Sequence, residues 1–129
     1  MPRPILQAFL LADYVYQDTD TGKKIIAGTF NRISAPSFPV VYPFCTAFIS
    51  LTDVKGTISL ELQFRNLKTN EVIATFGGID LHAEDPHQTV ELTSQIHGLV
   101  FPDSGIFSID VVHDEEILGS FRLSAVQSS

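Results

Sequence analysis

The chain has 129 residues, of which 44% are hydrophobic and 18% charged, and a formal net charge of −7. That length suits one domain spanning 1–129, which buries roughly two thirds of the surface of its unfolded chain and needs no disulfide or metal to fold. Residues 70–129 set ten acids against one basic residue, Arg122, which excludes nucleic acid as a favoured partner because affinity for phosphate rests on a basic surface.

Met1 to Ala12 places a positive charge before an apolar run. The run holds Gln7, ends at Asp13 and meets no small-x-small cleavage site, so it reads as no signal peptide, and it is too short to span a membrane. Residues 5–16 would fit a helical period through Leu6, Phe9, Leu10 and Asp13. Tyr14-Val15-Tyr16 and the turn Asp18-Thr-Asp-Thr-Gly22 favour a hairpin instead. The turn resembles the start of a calcium loop, yet two lysines follow and no closing glutamate arrives, so it reads as a polar turn. Asp13 interrupts an apolar segment, so in a central strand its carboxylate must be hydrogen-bonded or else strongly perturbed; a structural aspartate bonded to backbone amides is the favoured reading, a functional acid the other.

Residues 24–33 are rich in β-formers with apolar side chains on both faces, which predicts one central strand. The following stretch, 34–43, holds Pro36, Pro39 and Pro43 and is not expected to form a ladder strand. Its Phe38, Val40 and Tyr42 are the candidate binding residues, since rigid aromatic anchors cost little entropy on binding. The competing reading is a crossover whose rings plug one end of the core. In 44–52, Cys45, Ala47, Ile49 and Leu51 share a face opposite Phe44 and Phe48, so Cys45 reads as a core residue. A single cysteine allows no intramolecular disulfide and suits a reducing, cytoplasmic setting.

The cleanest alternation sets Ile58, Leu60, Leu62 and Phe64 against Ser59, Glu61, Gln63 and Arg65, a strand with one wet face between turns at 53–56 and 66–71. Residues 72–76 read as a short partner strand closed by Gly77-Gly78, with 79–82 a further short strand. The segment 82–87 offers two imidazoles and two carboxylates; its spacing matches no tetrahedral site, so it reads as an exposed acidic turn. His82, Glu84 and His87 are the only weak metal candidates, and no cofactor is called for.

Residues 88–97 alternate through Val90, Leu92 and Ile96, with His97 outward. Pro102-x-x-Gly105 leads into Phe107, Ile109 and Val111, and an acidic turn, His113 to Glu116, leads out into Phe121, Leu123 and Ala125. This is a closing hairpin. Leu60, Leu62, Phe64, Val90, Leu92, Phe107, Ile109, Phe121 and Leu123 are expected to fill one inter-sheet layer, and the end at Gln127-Ser-Ser to be loose. No nucleophile elbow, phosphate loop or Cys-x-x-Cys is present, so the chain does not read as an enzyme.

Leu11-Ala-Asp-Tyr-Val15, Gly22-Lys23 through Gly28-Thr-Phe30, Ala35-Pro-Ser-Phe-Pro39, Leu51-Thr-Asp53, and Gly98-Leu-Val-Phe-Pro-x-x-Gly105 with Leu118-Gly119 span nearly the whole chain. In these it resembles an uncharacterised family of short bacterial proteins classed as a domain of unknown function. The resemblance implies a bacterial single-domain β-sandwich and carries over no activity, ligand or site. The fold expected is all-β, an immunoglobulin-like antiparallel β-sandwich of seven to nine strands, with a jelly roll as the alternative. The function expected is a cytoplasmic protein-interaction module using the proline-rich loop or a sheet edge. The alternative is a small enzyme or metal-binding protein with its site near 82–87.

Overall fold

A computed structural model describes residues 3–128. Among these residues nine strands run in chain order: β1 (Ile5–Gln17), β2 (Lys24–Thr29), β3 (Arg32–Ala35), β4 (Val40–Thr52), β5 (Gly56–Asn66), β6 (Glu71–Ala83), β7 (Val90–Phe101), β8 (Gly105–His113) and β9 (Glu116–Gln127). The described residues include no helix. The front sheet has the order β2-β1-β4-β7 and the back sheet β3-β9-β8-β5-β6. Every neighbouring pair is antiparallel except β3 with β9, which is parallel.

Alternation explains the back sheet. Leu60, Leu62 and Phe64 of β5, Phe107, Ile109 and Val111 of β8, and Leu123 and Ala125 of β9 all turn inward and are buried. Phe64, Phe101 and Phe107 form an aromatic knot at the centre, with ring centroids 5.1 to 5.5 Å apart, the spacing at which aromatic pairs add to simple area burial. Cys45, Ala47, Ile49, Leu51, Ile96 and Leu99 close the layer from the front sheet. Val90, Leu92 and Phe121 are only partly buried and pack against this core from its margins. Phe121 meets Phe9 edge-on at 6.3 Å, sealing the side where β1 passes β9.

Four expectations need correction. Residues 24–33 are not one central strand: β2 and β3 lie at the edges of different sheets, and the apolar side chains on both faces reflect a chain that changes sheets after Thr29. Most of 34–43 does enter ladders, because Ser34 and Ala35 pair with β9 while Val40, Val41 and Tyr42 pair with Phe101, Val100 and Leu99. Only 36–39 lies outside a strand. Gly77-Gly78 ends nothing. Leu60 lies opposite Ile79 and Leu62 opposite Phe76, so β6 carries one extra residue there, a β-bulge inside one long strand. The C-terminal end is tied down through Gln127, which pairs with Ala35, and the Ser128 amide, which donates to the Ala35 carbonyl at 2.9 Å. Met1, Pro2 and Ser129 lie outside the described residues.

Two local devices shape the front sheet. Between the Tyr42–Leu99 and Phe44–His97 pairs, Pro43 faces Gly98, whose φ of 83° is open only to glycine at low cost. Here both strands exchange their inward faces: Cys45 and Ile96 point into the core on one side, Leu99 and Phe101 on the other, with Tyr42 packed beside them. The second device is the β1–β2 hairpin. Its arm extends five residues beyond the Ala12–Thr29 pair to Gln17 opposite Lys24, while Glu91 sits opposite Ser50 near the other end of the sheet. In a straight sheet Lys24 and Glu91 would be about 30 Å apart, yet Lys24 Nζ lies 3.9 Å from Glu91 Oε1. The arm therefore curls back across the outer face of the front sheet. Its cover explains why Thr46, Phe48 and Ser50, on that outer face, are buried.

Candidate functional site

Phe38, Val40 and Tyr42 are half-buried and pack against the core, so the proline-rich segment offers less free apolar surface than its composition suggests. Tyr42 stacks on Phe30 with ring centroids 4.6 Å apart, and its hydroxyl donates to Asp13 Oδ1 at 2.6 Å. Burial first, and then the hydrogen bond to Asp13, pushes the Tyr42 phenol well above its usual range. Asp13 thus has the hydrogen-bond partner its apolar setting demands. Opposite it in the hairpin lies Gly28, with φ of 78°, where a Cβ would come within 2.7 Å of Asp13 Oδ2. Buried Cys45 is next in the same corner, its thiol pushed up to about 11 by burial first and then by the charge of Asp13. The corner is a packed structural joint in which these groups satisfy one another.

His82, Glu84 and His87 do not converge. The Nδ1 of His82 pairs with Thr57 Oγ1 at 2.9 Å, while exposed His87 sits 3.3 Å from Asp85. Among the described residues no group of three or more His, Cys, Asp or Glu side chains is placed to hold a metal ion. The acidic turn at the β8–β9 hairpin borders an open cleft of about 840 Å³ with Arg3, Asp53 and Lys55. Its principal contact is an exposed Arg3–Glu116 pair at 2.6 Å, of a kind worth little in water.

The hairpin arm carries the exposed aromatic surface. Tyr16 lies opposite Ile25, Tyr14 stacks beside Tyr16 at 6.0 Å, and Tyr14 tilts against Phe44 at 5.9 Å where the arm bends. Tyr14, Tyr16 and Ile25 are 52%, 53% and 51% exposed. Their ribbon-mates Val15, Ile26 and Lys24 are half-buried on the face turned to the sheet. Curling the arm hides one apolar face and presents another.

The outer face of the back sheet is built differently. Asp110, only 2% exposed, points away from the core yet accepts from Arg65 Nε at 3.0 Å, Ser108 Oγ at 2.9 Å and Ser120 Oγ at 2.6 Å. Ladder register assembles the group: Gln63, Asp110 and Ser120 lie in one cross-strand row, and Arg65, Ser108 and Arg122 in the next. Arg65 also donates to the Asn70 carbonyl at 3.1 Å and to Gln63 Oε1 at 3.2 Å. The network floors a shallow depression of about 480 Å³, rimmed by Leu67, Ile117 and Arg122. Sequence reading passed over this group, although an aspartate set between Ile109 and Val111 was a signal of the same kind as Asp13.

A search among curated proteins finds no match. The family described as a family of unknown function, DUF6941, matches residues 7–126, a span that takes in all the strands but the first two residues of β1 and the last of β9. The chain belongs to this family of unknown function.

Proposed function

We propose that the protein is a cytoplasmic protein-interaction module whose docking surface is the curled β1–β2 arm. The single observation carrying this reading is the half-exposed Tyr14, Tyr16 and Ile25 on one face of the arm. Large apolar side chains held together in water are a cost that a partner's surface removes, and tyrosines are favoured anchors because few torsions must be fixed. The arm also ends the front sheet, so β2 leaves one row of backbone donors and acceptors available for an added strand. Buried Cys45 supports the cytoplasmic setting. The β1-β4-β7 and β9-β8-β5 runs support an immunoglobulin-like reading over a jelly roll, since they correspond to its A-B-E and G-F-C runs. Net acidity argues against nucleic acid.

The test uses the purified, tagged full chain against extract of its source organism. Wild type should retain a discrete partner that Tyr14→Ser/Tyr16→Ser loses, with Tm unchanged within a few degrees. A partner held equally by both proteins would overturn the reading.

A further inference from the structure

We propose that the depression on the outer face of the back sheet binds a carboxylate attached to an apolar body. The argument starts from Arg122. It stands across β8 from Arg65, each opposite Ser108 in the ladder, so two guanidinium stems flank one small residue about 10 Å apart, at two inter-strand spacings. Arg65 is held on three sides by Asp110, Asn70 and Gln63. Arg122 has no hydrogen-bond or ion-pair partner among the described residues and is the lone basic residue of 70–129.

The charge balance inside the depression is the reverse of that of the whole chain. Two guanidiniums face one carboxylate, and that carboxylate is 2% exposed and occupied by Arg65 and two serine hydroxyls. An incoming anion therefore meets Arg122, the one Arg65 N–H left without its own acceptor and the outer face of Arg65, while Asp110 is screened from it. Because Arg65 is already fixed by its network, little ordering entropy opposes its use. A planar fork on Arg122 matches a planar carboxylate in two parallel hydrogen bonds.

The rim supplies the second half of the ligand. Leu67 and Ile117 are both exposed at the depression and would lie against an apolar body carrying the acid group. A polyphosphate or nucleic acid is disfavoured by the surrounding charge of −7. The acid could be a free organic acid or the C-terminal carboxylate of a peptide, and one set of probes separates the two.

Isotope-labelled full chain is titrated at low salt with hexanoate, with N-acetyl-leucine, with N-acetyl-leucinamide and with inorganic phosphate, following backbone amide resonances. At least one of the two carboxylates should saturably shift Ser108, Ser120 and Arg122; hexanoate alone identifies a free acid, N-acetyl-leucine alone a peptide end. The neutral leucinamide should give no shift, and phosphate should bind at least tenfold more weakly. Arg122→Gln should keep the amide spectrum elsewhere and raise Kd at least tenfold, whereas Tyr14→Ser/Tyr16→Ser should leave Kd unchanged. Binding of neither carboxylate, equal binding of the leucinamide or phosphate, or an unaltered Kd in Arg122→Gln would overturn the proposal.

Discussion

The two outer faces of the sandwich solve one problem in opposite ways. Each sheet buries its inner side in the shared layer around Phe64, Phe101 and Phe107, leaving an outer side to reconcile with water. The front sheet places Phe48 outward and covers it with its own hairpin arm, so that it is 7% exposed. The back sheet is uncovered and places Gln63, Arg65, Asp110, Ser120 and Arg122 outward, with Arg65 and the two serines satisfying the buried carboxylate. An apolar outer face needs a roof; a polar one needs partners. Moving the arm across the front sheet also relocates exposed apolar surface from the sheet to Tyr14, Tyr16 and Ile25.

The largest effect separating the two faces belongs to Phe48. If the arm roofs it, Phe48→Ala removes a packed ring and should cost about 3 to 4 kcal/mol, measured by urea denaturation. A loss below about 1 kcal/mol would mean that the face is open. On the back sheet, Arg65→Ala strands the Asp110 carboxylate with only hydroxyl donors. Because Arg65 is partly exposed, water relieves some of that penalty, and a loss of about 2 to 3 kcal/mol is expected, below the usual range for breaking a buried pair. Replacing Arg122 instead should leave stability within about 0.5 kcal/mol.

A smaller effect sharpens the view of the joint between arm and sheet. The Cys45 thiol ionises near about 8.5 in the unfolded chain but is raised to about 11 in the folded one. Above the lower value the unfolded state releases a proton that the native state keeps, so stability falls as pH rises between the two. Tyr42, also raised, adds a further loss above pH ~10. Urea midpoints of wild type should drop from pH 8 to pH 10.5, and those of Cys45→Ala should drop less. Equal drops would remove Cys45 from the alkaline limb.

Much of the fold was legible because side-chain alternation is a direct imprint of a half-buried sheet. It located β5, β8 and β9 and put Cys45 in the core, while the β-formers Tyr14-Val15-Tyr16 and the turn at 18–22 located the β1–β2 hairpin. Alternation failed where the backbone changes rule. The exchange of faces at Pro43 and Gly98 hid Phe101, the sheet change after Thr29 made two edge strands look like one central strand, and the bulge at Gly77-Gly78 looked like a turn. The site was less legible, since exposure is a tertiary property. The proline-rich segment carries the aromatics, but ladder pairing turns Tyr42 inward onto Asp13, while the exposed tyrosines sit in a run that alternation marks only as a strand. Asp110 and Arg65 lie 45 residues apart, a separation at which no local pattern links them.

Everything said of the front face rests on the curl of the arm, and cross-linking tests it most directly. Lys24→Cys/Glu91→Cys in a Cys45→Ala background would be treated with a short bismaleimide and digested. The curled arm places the two sites in side-chain contact, so an intramolecular cross-link should form in high yield in the folded chain and vanish in denaturant. A straight hairpin would hold them about 30 Å apart; singly modified cysteines with no cross-link would contradict the account.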